Sequence, residues 1–179
     1  FTYYFNKRLI SKITYYFEDV EQTVEPGDEN FSDTNTEKFP YNKSGFLLST
    51  ILDNSNPEFS HERGLNLSLG LKLNGYIFGG NYNYTRLWGD FRTYHEIQNV
   101  VFAFRIMGGG ISSADTAGFI PVEDRFYSGG NNSIRGWSRS DLGPKRSNGK
   151  PLGGKSIFEC NMEVRYHIFW RLSIAAFIE

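Results

Sequence analysis

Arg135 carries the clearest chemical demand in this chain. It stands between Ile134 and Gly136 in the stretch Arg125 to Pro144, RFYSGGNNSIRGWSRSDLGP, which also holds the pair Gly129-Gly130, two asparagines and Trp137. The stretch has neither helical nor strand periodicity and lies between two alternating apolar/polar runs. A segment this long without regular structure is either functional or disordered. Phe126, Tyr127, Ile134 and Trp137 give it apolar surface of its own to bury, which argues for a packed loop. An arginine packed there needs a carboxylate, because a charge taken out of water without a partner is costly.

The other reactive residue types offer less. Ser128 and Ser133 lie near glycines, but no nucleophile-elbow pattern or His/Asp partner accompanies them. The Gly-Gly-Asn-Asn run is not followed by Gly-Lys-Ser/Thr or by a helix, so it is no phosphate loop. His61, His95 and His167 read as single residues in turn regions, without the convergent spacing a metal needs. Cys160 is the one cysteine, which excludes an internal disulfide and leaves no second thiol for a metal site. The chain therefore reads as non-enzymatic, with no cofactor and no metal.

The elements that must position Arg135 are strands. Aromatics make up 17% of the 179 residues while the mean hydropathy is low, a combination that suits strands with one apolar and one wet face. No apolar run approaches the length of a membrane helix, the longest being Val100 to Phe104. No basic patch argues for nucleic acid. Phe1 to Phe5 reads as the tail of a strand, and Ile13, Tyr15 and Phe17 alternate with polar neighbours. The acidic stretch from Val24 to Asn42, with Pro26-Gly27, reads as a surface loop. Phe46 to Asp53 alternates again. Leu65, Leu67, Leu69, Leu71 and Leu73 then share one face, with Asn66, Ser68, Gly70 and Lys72 on the other. Such a stripe would be an aggregation-prone edge in water and is what a lipid-facing strand requires. Asn81 to Thr93, Val100 to Met107, Phe158 to Tyr166 and Leu172 to Ile178 continue the pattern, with Cys160 on the lipid side.

This makes about seven strands of bilayer-crossing length and no helix, so the predicted class is all-β. An open sheet would leave backbone donors and acceptors unpaired in lipid. Residues 1–179 therefore read as part of a closed antiparallel transmembrane β-barrel, completed by strands outside this sequence, with a long loop at about 108–154. Alternation puts Glu163 on the polar side of its strand, and Phe177 and Glu179 on the same side of the next. If the loop folds back into the barrel, Arg135 meets two carboxylates and a ring there, a set suited to a guanidinium. The same glutamates could instead be solvated lumen charges.

The run RFYSGGNNSIRGW resembles the loop motif of bacterial outer-membrane assembly barrels, the BamA/TamA family. In that family an aromatic, a Gly-Gly pair and a Val/Ile-Arg-Gly-aromatic tetrapeptide form an extracellular loop tucked into a barrel of about sixteen strands. Asp53 to Gly64, with Pro57, resembles the family's periplasmic turn. The last strand of the motif usually reads aromatic-x-Asp-x-Gly, and here Phe177 and Glu179 occupy the first two of those positions. The resemblance implies Arg135 as loop anchor within Ile134-Arg135-Gly136-Trp137, Gly129 and Gly130 as the loop turn, and Glu163 and Glu179 as acidic partners. It places Phe177 and Trp137 as the packing around the arginine. It also implies periplasmic domains elsewhere in the protein, residence in the bacterial outer membrane, and a role in folding, inserting or translocating client outer-membrane or secreted proteins. Periplasmic or lipoprotein accessory subunits and the lipid bilayer are the implied partners. A two-partner secretion transporter, or a barrel anchoring a fused enzyme, is the alternative.

Overall fold

The computed structural model describes residues 2–4, 8–21, 40–55, 63–115, 118–146, 149–169 and 172–179. They form β1 (Thr2–Tyr4), β2 (Leu9–Val20), β3 (Tyr41–Asp53), β4 (Gly64–Asn74), β5 (Tyr84–Ile97), β6 (Val100–Ser113), β7 (Ser156–Phe169) and β8 (Leu172–Ile178). All eight belong to one open sheet in sequence order, each strand antiparallel to its neighbours. They correspond to the strand tail expected at Phe1–Phe5 and the seven alternating runs after it. No helix among the described residues is long and apolar enough to cross a membrane. The acidic stretch 22–39, Asn6, Lys7, Pro57 and His61 lie outside the described residues.

Period-two patterning fixes which side chains share a face. One row across the sheet runs Tyr16, Gly45, Asn74 and Tyr84, and the next runs Leu47, Lys72, Arg86 and Ile111. This inner face continues through Asp90, Arg105, Glu159, Asn161 and Glu163 to Phe177. The opposite face carries the five leucines of β4 beside Leu48, Leu52, Leu87, Phe91 and Ile106, and ends in Phe158, Cys160, Met162 and Val164. Leu69, Leu87, Phe158 and Ile178 are well exposed there, and Cys160 is a free thiol on the same side.

Several strands run further than their sequence pattern suggests. β6 continues to Ser113, so the connecting segment is 114–155 and not 108–154. Gly108, Gly109 and Gly110 look like a loop in sequence, yet they pair with Gly89, Trp88 and Leu87. The middle one, Gly109, is on the inner face, where a large ring lies over the strand. A Cβ on Gly109 would sit 2.5 Å from the Phe126 ring, and one on Gly70 would sit 2.1 Å from the Trp88 ring. β5 is shifted to Tyr84–Ile97 from the expected 81–93. Asn81 and Asn83 are spent on turn contacts: Asn81 N–H donates to the Asn42 carbonyl and Asn83 to the Asp115 carboxylate. His95 and His167, expected in turns, therefore stand inside β5 and β7.

Candidate functional site

The segment between β6 and β7 packs on the inner face. Its tight point is Gly129-Gly130, both with positive φ (105° and 103°), a conformation that costs glycine little. Gly130 N–H donates to the Ile134 carbonyl at 3.2 Å and its own carbonyl accepts from Ser133 N–H at 3.0 Å, closing the turn that presents Arg135.

Arg135 Nε donates to Glu179 Oε1 at 2.5 Å, and Arg135 Nη1 to Glu163 Oε2 at 2.6 Å. The backbone N–H of Arg135 donates to the second oxygen of Glu179. The Phe177 ring centroid lies 3.6 Å from the guanidinium carbon. Glu163 and Phe177 are cross-strand partners, so the pairing of β7 with β8 assembles a carboxylate and a ring side by side. Glu163 is shared with Arg165, which donates to its other oxygen. Burial alone would lower the Arg135 pKa, but the hydrogen bonds to Glu179 and Glu163 outweigh it and hold the value above that of a free arginine. The Glu179 and Glu163 side chains are only 6% and 12% exposed, so the pair is far from a screened surface bridge.

The other expected members divide. Ile134 is half-buried in the turn. Gly136 has φ 92° with nothing within 4 Å of a notional Cβ, so backbone conformation and not space requires glycine there. Trp137 is 50% exposed and lines a cavity of about 660 Å³ with Tyr127, Gly130 and Arg139. The ring over the guanidinium is that of Phe177.

Two further contacts hold the segment, neither of them anticipated from sequence. Ser128 Oγ donates to Glu159 Oε1 at 2.6 Å, Ser133 Oγ reaches the same oxygen, and Asn161 Nδ2 donates to the Ser133 carbonyl at 3.0 Å. Arg105 joins Glu159 at 2.9 Å to Asp90 at 2.8 Å, so this end sits on a charge network of the inner face. At the other end is Asp124, in a short 3-10 turn (Val122–Asp124). Its carboxylate accepts from Lys72 Nζ at 2.5 Å, Tyr84 Oη at 2.5 Å and Lys43 Nζ at 3.3 Å. Lys43 also meets Glu123 and Glu18, each at 2.9 Å. Burial alone would raise the Asp124 pKa, but the Lys72 ammonium, the hydrogen bonds and Lys43 hold it below the usual carboxylate range. Between these ends Phe126 is buried against Tyr84, Ile111 and Ile120, with the Arg86 guanidinium 4.5 Å from its ring.

A smaller cavity of about 200 Å³ lies beside the arginine, lined by Arg92, Tyr94, Arg105, Asn131, Arg135 and Glu163 among others. The arginines around it turn to carboxylates: Arg92 to Asp90, Arg105 to Asp90 and Glu159, Arg135 to Glu163 and Glu179. No group of three or more His, Cys, Asp or Glu among the described residues could hold a metal ion. The arrangement is suited to fixing a loop in place.

The Omp85 superfamily domain matches residues 2–179. The outer membrane protein assembly factor BamA of Nitratidesulfovibrio vulgaris is 32% identical over 94 residues, covering 51% of this chain and 12% of the relative. The sorting and assembly machinery component 50 homolog of Bos taurus is 32% identical over 118 residues, covering 65% of this chain and 24% of the relative. The crystal structure of BamA from Haemophilus ducreyi lacking POTRA domains 1–3 superposes with a TM-score of 0.76 at 17% identity, over 98% of this chain and 39% of that one. The likeness to that structure is one of fold. This chain spans well under half the length of each.

Proposed function

The chain belongs to the Omp85 superfamily, and on that footing we propose that it forms part of a barrel that assembles or inserts other proteins in the bacterial outer membrane. The apolar face of its sheet is the lipid-facing surface of an outer-membrane β-barrel. Further strands outside this sequence close the barrel, since β1 and β8 would otherwise leave unpaired backbone edges in lipid. Periplasmic domains and accessory subunits belong to the same proposal, as do client outer-membrane proteins as substrates.

The observation that supports this reading is the tie of Arg135 to Glu163, Glu179 and Phe177. It braces β7 against β8 from inside, and the work proposed for the barrel is mechanical. One wall is held rigid while a seam elsewhere opens and offers strand edges to a client. No covalent step is involved.

The test uses the full-length protein. Arg135→Ala is expected to lose the compact, fast-migrating form on unheated gels and to reduce insertion of a β-barrel client into vesicles. Arg135→Lys, which keeps charge but cannot fork between two carboxylates, is expected to fall between. Normal migration and normal client insertion in Arg135→Ala would overturn the proposal. Normal barrel behaviour with lost export of one dedicated client would instead favour a secretion transporter.

A further inference from the structure

While the segment after β6 folds inward, the first part of the connection between β4 and β5, Tyr76–Phe78, folds outward, and Tyr82 further along it packs on the inner core. Gly75 N–H donates to the Ser44 carbonyl and Asn81 N–H to the Asn42 carbonyl, so the connection leans over the start of β3. Phe78 packs edge-on against Phe46 with centroids 4.9 Å apart, and Phe46 in turn meets Tyr15 at 5.3 Å. On the other flank Tyr76 Oη lies 3.1 Å from Thr85 Oγ1. Phe46, Tyr15 and Thr85 are in register with Leu73, the last leucine of the apolar stripe. All of them therefore stand on the lipid side. Ser44 belongs to that side too, yet it is only 1% exposed and shares a hydrogen bond of 2.9 Å with Tyr15 Oη. Its burial follows from a turn laid over the outer surface.

At the tip of this turn stands Ile77, 89% exposed, the most exposed large hydrophobic side chain among the described residues. Gly75, Tyr76, Gly79 and Gly80 around it all have positive φ, which bends the backbone sharply enough to carry Ile77 out at the end. Below it, Tyr15 and Tyr76 pair rings with satisfied hydroxyls, the amphipathic arrangement that suits the boundary between acyl chains and headgroups. The patch is continuous with the lipid-facing band, and that continuity identifies its occupant.

We infer that the turn Tyr76–Phe78 is a membrane-interface anchor, with Ile77 seated in the acyl-headgroup boundary of the leaflet on the long-loop side. The partner is the lipid leaflet itself. Ile77 and the Tyr15–Phe46–Phe78 cluster fix how deep the β3–β5 wall sits, and a polar side chain at Ile77 lets that wall ride up or down. The inference rests on the outer-membrane reading of the barrel and adds a depth-setting contact to it.

The experiment is spin-label accessibility on the full-length protein in phospholipid vesicles, with native cysteines replaced, Cys160→Ala among them. Nitroxide is attached to Ile77→Cys, to Leu87→Cys on the lipid face, and to Asn99→Cys in the tight turn after β5. At position 77, collisions with oxygen are expected to exceed those with a water-soluble nickel chelate several-fold, as at position 87, and the reverse is expected at position 99. A nickel-dominated label at 77 would overturn the anchor. So would a label that neither reagent reaches, since a protein contact would then cover the turn. If the label at position 87 were itself nickel-dominated, the lipid-facing reading of the whole sheet would fail instead, so the two failures are distinguishable.

Discussion

A single guanidinium here serves three ligands on two strands. Glu179 takes both the side chain and the backbone N–H of Arg135, Glu163 takes the far nitrogen, and Phe177 lies against the flat face. Removing the arginine leaves the mostly buried Glu179 carboxylate without that partner and Glu163 with Arg165 still bound, so the loss exceeds that of a surface bridge. Arg135→Ala is expected to lower stability by about 3 kcal/mol, read as a shift in the urea midpoint for the folded barrel. Asp124 offers a pH handle at the opposite end. Its pKa is depressed by Lys72, Tyr84 and Lys43 against its burial. The stability it contributes is therefore complete above the ordinary carboxylate value of ~3.9 and is lost as pH falls through its lower folded value. Urea midpoints followed downward from neutral pH should decline through that acidic window, and Asp124→Asn should remove that part of the decline while lowering the neutral-pH midpoint.

At the scale of elements, inner-face glycines decide where the loop can lie. Trp88 rests over Gly70, and Phe126 over Gly109, at distances that leave no room for a methyl group. Gly109→Val should force Phe126 out of its place among Tyr84, Ile111 and Ile120 and lower stability by about 1–3 kcal/mol. Limited proteolysis of segment 114–155 would show the displacement as faster cleavage, whereas valine at Gly110, where a Cβ meets nothing within 4 Å, should leave the rate unchanged. These glycines also show where sequence reading stops. Period two located each strand and placed Glu163, Phe177 and Glu179 on one side, because face is a local property of alternation. The three glycines after Met107 read as a loop because nothing local tells that a ring from residue 126 covers the middle one, Gly109. Asp124 was missed for a related reason. Lys72 among Asn66, Ser68 and Gly70 signals that a carboxylate must arrive from somewhere, but the acceptor, Asp124, lies 52 residues away in a short turn without periodicity.

For the whole molecule, the two faces of the sheet live in different solvents, and the same substitution should read differently on each. Arginine at Leu69, on the exposed apolar stripe, is expected to cost about 2–4 kcal/mol in a bilayer. Arginine at Ser68, one residue along, faces inward opposite Asp90 and should cost little. Folding yields into vesicles for the two variants would check this, and equal yields would count against a lipid-facing stripe. The all-β class and its membrane-facing strands were legible because solvent is written into every strand at once, and the outer membrane entered with the motif around Arg135. The inward fold of segment 114–155 became legible only through the motif around Arg135, since a loop's destination depends on partners scattered over the sheet.

One geometric consequence concerns diameter. The backbone from Asp124 to Arg135 starts tied to β3, β4 and β5, passes over β6, and ends tied to β7 and β8. It is a chord drawn across an arc of strands. A chord of fixed length beneath a fixed number of strands determines the radius of the arc. Phe126 on the inner face and Ser128 and Ser133 on Glu159 pin that chord along its way, so the ten residues between the two ties are expected to bear on the curvature of this wall alongside strand count. Lengthening that span would flatten the arc without breaking a single bond of the sheet.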